Sequence, residues 1–186
     1  MRVLTPALIL FIALFVSCSG EQNRQSSDME ENRPLGMQQE DIPIAEIIEN
    51  AVFTDLDGNE VTLEDLRGKV VLIDFWESWC GPCLVVFPAM QELREAYPEH
   101  FEVLAVTVGI TEGPAEALEF SEKHGYDFRF VYDENKISWD LGIHSIPYKI
   151  YIDPEGNFIK QELGTRGRDG DYENARELIY QYTDAR

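Results

Sequence analysis

Residues 70–83 read VVLIDFWESWCGPC, and this stretch decides the fold. Its first six residues are apolar except for Asp74, as expected for a central β-strand that is covered on both faces. The segment from Pro82 to about Tyr97 then places apolar residues at helical spacing. The sequence therefore predicts a buried strand, a short loop that carries Trp79-Cys80-Gly81-Pro82-Cys83, and a helix that starts within this motif.

The two cysteines of the motif lie at the predicted N-terminus of that helix. Unpaired N–H groups and the positive end of the helix dipole stabilise a thiolate at such a position. Cys80 is the first thiol reached from solvent, which makes it the expected nucleophile. Cys83 lies one turn further along the same face and can close a disulfide with it. Pro82 fits the first helical turn because it lacks an N–H group. The pair therefore predicts thiol–disulfide exchange.

Other uses of a C-x-x-C motif meet specific obstacles in this sequence. A zinc site needs two further ligands, but no cysteine remains in the body of the chain and His100, His124 and His144 are scattered. Covalent haem attachment needs a histidine directly after Cys83, where Leu84 stands. A purely structural disulfide across one helical turn would close too short a loop to stabilise much. We therefore expect a redox pair and no metal.

Outward from the motif, strand and helix patterns alternate along the chain. Further strands are predicted in a hairpin around residues 57–59, at 101–108, at 128–132, and in a second hairpin formed by 148–152 and 158–163. Further helices are predicted at 114–124, 137–141 and 172–182. The folded body is expected to start near Ile42. This alternation predicts an α/β domain with a mixed sheet.

The motif and its neighbours resemble the thioredoxin superfamily. Residues 71–83 resemble the thioredoxin strand and active site in register, and Pro88 stands where that family kinks its helix. Ser145-Ile146-Pro147 resembles the segment whose cis-proline faces the disulfide. The resemblance implies a thioredoxin fold, with a central mixed β-sheet flanked by helices. Within the superfamily, the N-terminal β-hairpin and an inserted strand–helix unit around residues 103–125 resemble the TlpA/ResA-like thiol–disulfide oxidoreductases.

The resemblance also implies a role for Asp74, which lies six residues before Cys80. It matches the family's buried acid, the proton acceptor for the second cysteine. Strand parity points its side chain into packing, where an unpaired carboxylate should have a raised pKa. A capping or hydrogen-bonded structural aspartate is the alternative. No lysine partner is evident on the neighbouring strand, where Thr107 and Val108 lie.

The substrate-binding residues are expected to surround the cysteines. They are Trp79, Gly81, Pro82, Ile146 and Pro147. We predict a cis Ile146–Pro147 peptide bond, which would turn the backbone of Ile146 towards the disulfide, where an extended client chain could pair with it. Trp79 is expected to shield the disulfide and Trp76 to pack in the core. Glu77 is expected to be a solvated charge.

The first 41 residues are expected to lie outside the folded domain. The apolar run at residues 3–16 is shorter than the roughly twenty residues of a membrane-spanning helix, so it predicts a signal peptide over residues 1–17. Residues 15–18 read FVSC and resemble the bacterial lipoprotein signal, which implies acylation of Cys18. Ordinary cleavage nearby or an uncleaved anchor are the alternatives. Residues 18–41 predict a flexible tether, and residues 42–186 the thioredoxin-like domain.

Charge and resemblance together set the expected partners. The chain has 35 acidic against 15 basic residues, a formal charge of −20, which disfavours nucleic acid. The resemblance implies an envelope enzyme on the periplasmic side, lipid-anchored to the inner or outer membrane, with no cofactor other than the Cys80–Cys83 disulfide. It implies protein thiols and disulfides as substrates, apocytochrome c as a client in cytochrome c-type biogenesis, and a membrane electron donor of the DsbD/CcdA type.

Two other functions remain as alternatives to protein-disulfide reduction. A thiol peroxidase of the peroxiredoxin type shares the preceding hairpin. Its motif, however, places Thr or Ser three residues before the reactive cysteine and Pro seven before, where this chain has Glu77 and Ile73. A non-catalytic thioredoxin-fold binding module is the second alternative, and it would not need both cysteines.

Overall fold

The computed structural model describes residues 41–185. The predicted signal peptide, Cys18 and nearly all of the predicted tether lie outside the described residues. The strands are β1 (Val52–Asp55), β2 (Glu60–Thr62), β3 (Val70–Trp76), β4 (Phe101–Thr107), β5 (Arg129–Tyr132), β6 (Tyr148–Ile152) and β7 (Phe158–Leu163). The helices are α1 (Asp41–Glu49), α2 (Gly81–Ala96), α3 (Pro114–His124), α4 (Ile137–Asp140) and α5 (Gly167–Tyr182). Within this part of the chain, no helix is long and apolar enough to cross a membrane.

The strands form one mixed sheet in the order β2-β1-β5-β4-β3-β6-β7. β3 lies near its middle, parallel to β4 and antiparallel to β6. Every residue of β3 is buried, as the apolar run predicts for a strand covered on both faces. The predicted fold class is confirmed: an α/β thioredoxin fold with a mixed central sheet and an N-terminal hairpin.

Alternate residues of β3 face two different parts of the core. Val71, Ile73 and Phe75 pack against apolar side chains from α1, from the β1–β2 hairpin and from α4 and the residue after it. Val70 and Leu72 pack instead against α2 and α5. Because side chains alternate along a strand, Asp74 and Trp76 face the α2 side as well. The cysteine-bearing helix therefore lies over the same face as Asp74.

Two helices differ from the sequence-based expectation. α5 begins at Gly167, five residues before the predicted start at Tyr172. The earlier start was not predicted because residues 167–171 include no apolar side chain that would show a helical period. α1 was not predicted at all, although Ile44 and Ile48 lie four residues apart and are both buried against the sheet. In both helices, contact with the sheet rather than a long apolar stripe stabilises the first turns.

Candidate active site

Cys80 and Cys83 form a disulfide at the start of α2, with their Cα atoms 5.3 Å apart. Cys80 is the N-cap residue of this helix, and its Sγ accepts a hydrogen bond from the N–H of Cys83 at 3.3 Å. Pro82 lies in the first turn, as predicted. Cys80 keeps 3% of its surface exposed and Cys83 none. The cap places the Cys80 sulfur where unpaired helix N–H groups stabilise negative charge.

Asp74 is buried in β3 with no exposed surface. Neither carboxylate oxygen has a hydrogen-bond partner among the described residues. Burial raises the pKa of Asp74 to about 8; the Lys149 charge opposes this rise and the Asp171 charge adds to it. The predicted burial and raised pKa are confirmed, and the alternative of a hydrogen-bonded structural aspartate is wrong. Asp74 can therefore exchange a proton near neutral pH.

Lys149 is a neighbour of Asp74 that the sequence did not predict. Lys149 stands directly opposite Asp74 in the β3–β6 ladder and is buried without exposed surface. β4, the strand that follows β3 in the chain, carries no lysine, and its residue opposite Asp74 is Ala105. A signal was present, because Lys149 interrupts the otherwise apolar and aromatic strand YKIYI. Only the strand order shows that β6 is the second neighbour of β3.

The expectation that Glu77 is a solvated charge is wrong. Its side chain is buried without exposed surface. Its carboxylate accepts hydrogen bonds from the indole Nε1 of Trp79 at 2.6 Å, from the backbone N–H groups of Ile110 and Thr111, and from the Thr111 hydroxyl at 3.0 Å. Glu77 thereby ties the active-site loop to the loop that follows β4.

A second carboxylate joins the same two loops in the opposite direction. Glu112, in the loop after β4, accepts hydrogen bonds from the N–H of Ser78 at 2.7 Å and from the Ser78 hydroxyl. The two glutamates form what we call the loop clamp: Glu77 and Glu112 with the groups that they bind. No local spacing predicts it, because the groups that the two glutamates bind across the loops lie 33 or 34 residues away in the chain.

The Ile146–Pro147 peptide bond is cis, which confirms that prediction. Ile146 packs against the cluster of side chains that includes Cys80 and Cys83. A groove of about 580 Å³ begins beside it, lined by Val108, Ile110, Trp139, Ile143 and His144 among others. Ile110 and Trp139 are 63% and 77% exposed, so apolar surface is open to solvent in the groove that Ile146 lines.

Trp76 and Trp79 differ in their environments although they lie three residues apart. Trp76 is buried and its ring packs against Phe87, Phe120 and Phe130, with centroids 4.6 to 5.7 Å away. The expected core role of Trp76 is therefore confirmed. Trp79 is 55% exposed and is held by its indole N–H, which also lies 2.8 Å from the Thr111 hydroxyl. Shielding of the disulfide by Trp79 stays a prediction.

The structure brings most of the predicted site residues together. Cys80, Gly81, Pro82 and Cys83 share the first turn of α2, and Ile146 contacts their side-chain cluster. Gly81 and Pro82 are exposed, as contact with a client would require. Cys18 lies outside the described residues. Among residues 41–185, no group of three His, Cys, Asp or Glu side chains could hold a metal ion.

Comparison with known proteins gives one family match that spans most of the chain. A family model described as Redoxin matches residues 40–179. The thiol-disulfide oxidoreductase ResA of Bacillus thuringiensis (strain Al Hakam) is 33% identical over 122 residues, covering 64% of this chain and 69% of the relative. The aligned relative is thus similar over the stretch that carries the redox pair.

Solved structures show the same likeness in three dimensions. A crystal structure from Chlorobium tepidum, assigned as the thiol:disulfide interchange protein DsbE, has a TM-score of 0.61 and 29% identity, covering 71% of this chain and 92% of that one. The exposed lipoprotein thioredoxin of Streptococcus pneumoniae strain TIGR4 has a TM-score of 0.55 and 26% identity, covering 69% of this chain and 98% of that one.

Proposed function

Because the chain belongs to the Redoxin family and is a thiol-disulfide oxidoreductase related to ResA, we propose that it reduces the disulfides of protein substrates. Cys80 is the attacking thiol and Cys83 the resolving thiol. The observation that carries this assignment is the position of the pair: Cys80 caps α2 and keeps slight exposure, whereas Cys83 is fully buried within the helix.

The first step is attack by the Cys80 thiolate on a sulfur of the client disulfide. The N–H of Cys83, which hydrogen-bonds the Cys80 sulfur at 3.3 Å, stabilises this thiolate together with the helix terminus. A new bond forms between Cys80 and the client, and the client's own S–S bond breaks. The departing client sulfur takes up a proton and becomes a thiol.

The second step releases the client and needs the Cys83 thiol to lose its proton. Asp74 lies on the α2 face of β3, between Leu72 and Trp76, and has no hydrogen-bond partner of its own among the described residues. Its carboxylate accepts the proton, and the Cys83 thiolate attacks the Cys80 sulfur. The Cys80–Cys83 bond forms, the bond between Cys80 and the client breaks, and the released client sulfur takes up a proton as the second client thiol. The two enzyme thiols are thereby oxidised to a disulfide, and the client disulfide is reduced to two thiols.

The apolar groove beside Ile146 would hold the client chain. It lies between the loop after β4 and the loop that carries the cis-proline, and it exposes Ile110 and Trp139. Backbone groups of Ile146 are available to an extended segment there, as to an added strand. The loop clamp positions one wall of the groove, because Glu77 binds the N–H of Ile110.

The direct test is reduction of insulin by the full chain with dithiothreitol as electron source. Cys80→Ser should abolish the activity, and Cys83→Ser should accumulate mixed disulfides that survive without reductant. Cys18→Ser is the matched control, because it removes a cysteine outside the pair and should leave the rate unchanged. Equal alkylation rates of Cys80 and Cys83 in the reduced protein would contradict the assignment of their roles.

The cellular setting is also part of the proposal. The signal-like residues 1–17 and the lipobox-like FVSC support export and acylation at Cys18, and the pneumococcal relative is described as an exposed lipoprotein. We place the enzyme on the periplasmic side of the envelope, with an inner- or outer-membrane anchor, a DsbD/CcdA-type donor and apocytochrome c as client. Labelling with a palmitate analogue should mark the wild-type chain and not Cys18→Ala. Trapping with Cys83→Ser would identify the client.

A further inference from the structure

A buried charge network lies beside Asp74 and has no role in the steps described so far. Lys149 stands opposite Asp74 in the β3–β6 ladder, so the two side chains project from the same face of the sheet. Asp171, in the second turn of α5, reaches the same region. All three side chains are buried without exposed surface.

Lys149 pairs with Asp171 and not with Asp74. Its Nζ forms an ion pair with Asp171 Oδ1, and Glu162 Oε2 lies 3.7 Å from it. The other oxygen of Asp171 accepts hydrogen bonds from the Thr165 hydroxyl and from the Arg166 N–H at 3.2 Å. Asp171 is therefore fixed on both sides, whereas Asp74 has no hydrogen-bond partner among the described residues.

The remaining sides of Asp74 add little charge. β4 presents Ala105 opposite it, and the α2 residues that pack with its β3 neighbours Leu72 and Trp76 are apolar residues and the two cysteines. Tyr151, two residues beyond Lys149 on β6, is buried, and burial raises its pKa. Within the described residues, the titratable groups around Asp74 are Lys149 and Tyr151 from β6, Glu162 from β7, Asp171 from α5, and Cys83 from α2 in the reduced protein.

We propose that Asp171 is a positioning residue for the redox reaction, because it holds the Lys149 ammonium and so leaves Asp74 unpaired and able to carry the Cys83 proton. This inference rests on the proposed function and extends it to α5. Without Asp171, the carboxylates left around Lys149 are Asp74, opposite it in the ladder, and Glu162, which Lys160 and Arg166 also hold. Lys149 is then free to pair with Asp74, and an adjacent opposite charge favours the ionised form of Asp74. The effects of the two charges on the pKa of Asp74 are consistent with this role: Lys149 lowers that pKa and Asp171 raises it.

The test is the titration of the Asp74 carboxyl carbon, followed by ¹³C NMR in the oxidised full chain. Asp171→Asn should lower the titration midpoint by about one pH unit or more, because Lys149 then turns to Asp74. Lys149→Met should raise the midpoint, because the positive charge that lowers the pKa of Asp74 is removed. A role limited to tying α5 to the sheet would not produce shifts of opposite sign.

A double variant keeps the test informative if a single variant folds poorly. Lys149→Met/Asp171→Asn leaves no unpaired charge and keeps an oxygen for Thr165 and Arg166, so it should fold. Its midpoint should lie well above that of Asp171→Asn. Lys69→Met is the matched control, since it removes a lysine that binds the Pro98 carbonyl and lies beside Glu102, outside the groups around Asp74, and it should leave the midpoint unchanged.

Shifts of the same sign in the two single variants, or a double variant that titrates as low as Asp171→Asn, would overturn the role of Asp171. These outcomes do not depend on turnover, because the oxidised protein is observed. Loss of the proposed function would appear instead as a wild-type protein without reductase activity at any pH. Where activity is present, its pH profile should move in the same direction as the Asp74 midpoint in each variant.

Discussion

Asp74 and Glu77 are two acids three residues apart, and both are buried without exposed surface. Asp74 lies in β3, and neither of its oxygens has a hydrogen-bond partner in the described part of the chain. Glu77 follows β3 directly, and four donor groups from Trp79, Ile110 and Thr111 surround its carboxylate. The two side chains are equally buried, but Glu77 accepts several hydrogen bonds and Asp74 accepts none from the described residues.

This difference separates a chemical role from a structural one. A buried carboxylate without donors is costly to ionise, so its proton is retained to higher pH and becomes available for exchange. A buried carboxylate with several charge-assisted hydrogen bonds is stabilised in place, and its loss would leave the donors without an acceptor. The surroundings of Asp74 therefore suit proton exchange, whereas those of Glu77 fix the position of the active-site loop.

The largest effect on stability should come from Glu77→Ala. Removing the acceptor leaves four donors to find water or remain unpaired, and we expect a loss of about 2–4 kcal/mol in the free energy of unfolding. Urea unfolding of the oxidised protein measures it. Glu64→Ala, which removes an exposed acid paired with Arg67 three residues away, is the control and should change little. Equal losses in the two variants would remove the distinction between clamp and surface acid.

The largest effect on catalysis should come from Asp74→Asn. An amide of the same shape cannot accept the Cys83 proton, so we expect turnover at neutral pH to fall by about 10²-fold. The fold should persist, because no hydrogen bond of Asp74 is lost. Pre-steady-state kinetics should place the loss in the resolution step, with attack by Cys80 unaffected. An unchanged pH–rate profile would argue against a proton role.

The pH dependence of stability should also differ between wild type and Asp74→Asn. The pKa of Asp74 is raised from 3.8 to about 8 in the folded protein, so the folded state holds a proton that the unfolded chain loses near pH 4. The stability from this proton is complete below about pH 4 and is lost towards pH 8, at up to ~1.4 kcal/mol per unit. The variant should lack this decline. Parallel stability curves from pH 4 to 8 would show that Asp74 titrates normally.

The smallest effect should come from Thr111→Val, which removes one of the four donors to Glu77. Its hydroxyl bonds Glu77 Oε2 at 3.0 Å and lies 2.8 Å from the Trp79 indole nitrogen. We expect a loss of about 0.5–1.5 kcal/mol, because water can reach this exposed loop. Thr54→Val is the matched control, since its hydroxyl bonds the exposed Glu134. A loss as large as that of Glu77→Ala would mean that Thr111 alone supports the clamp.

Patterns local in the chain were sufficient to predict the redox pair and most of the fold. The apolar run of β3, the Cys80–Cys83 spacing and the turn residues of both hairpins act over a few positions. The predicted bounds of α3, β6 and β7 agree with the structure. The cis Ile146–Pro147 bond was predicted from the family resemblance of a three-residue segment and from the order of the elements around it. Local signals did not reveal α1 or the first turns of α5, whose residues are fixed by contact with the sheet.

For Asp74 and Glu77 as well, local sequence patterns predicted one part of the environment and tertiary contacts determined the rest. Strand parity alone predicted that Asp74 is buried, because alternation along one strand is a property of the sequence. That Lys149 faces it, that Asp171 holds Lys149, and that Glu77 is enclosed by a loop more than thirty residues away depend on strand order and register. Whether a buried acid is paired or unpaired is decided by partners distant in the chain, and only the tertiary structure brings those partners into contact.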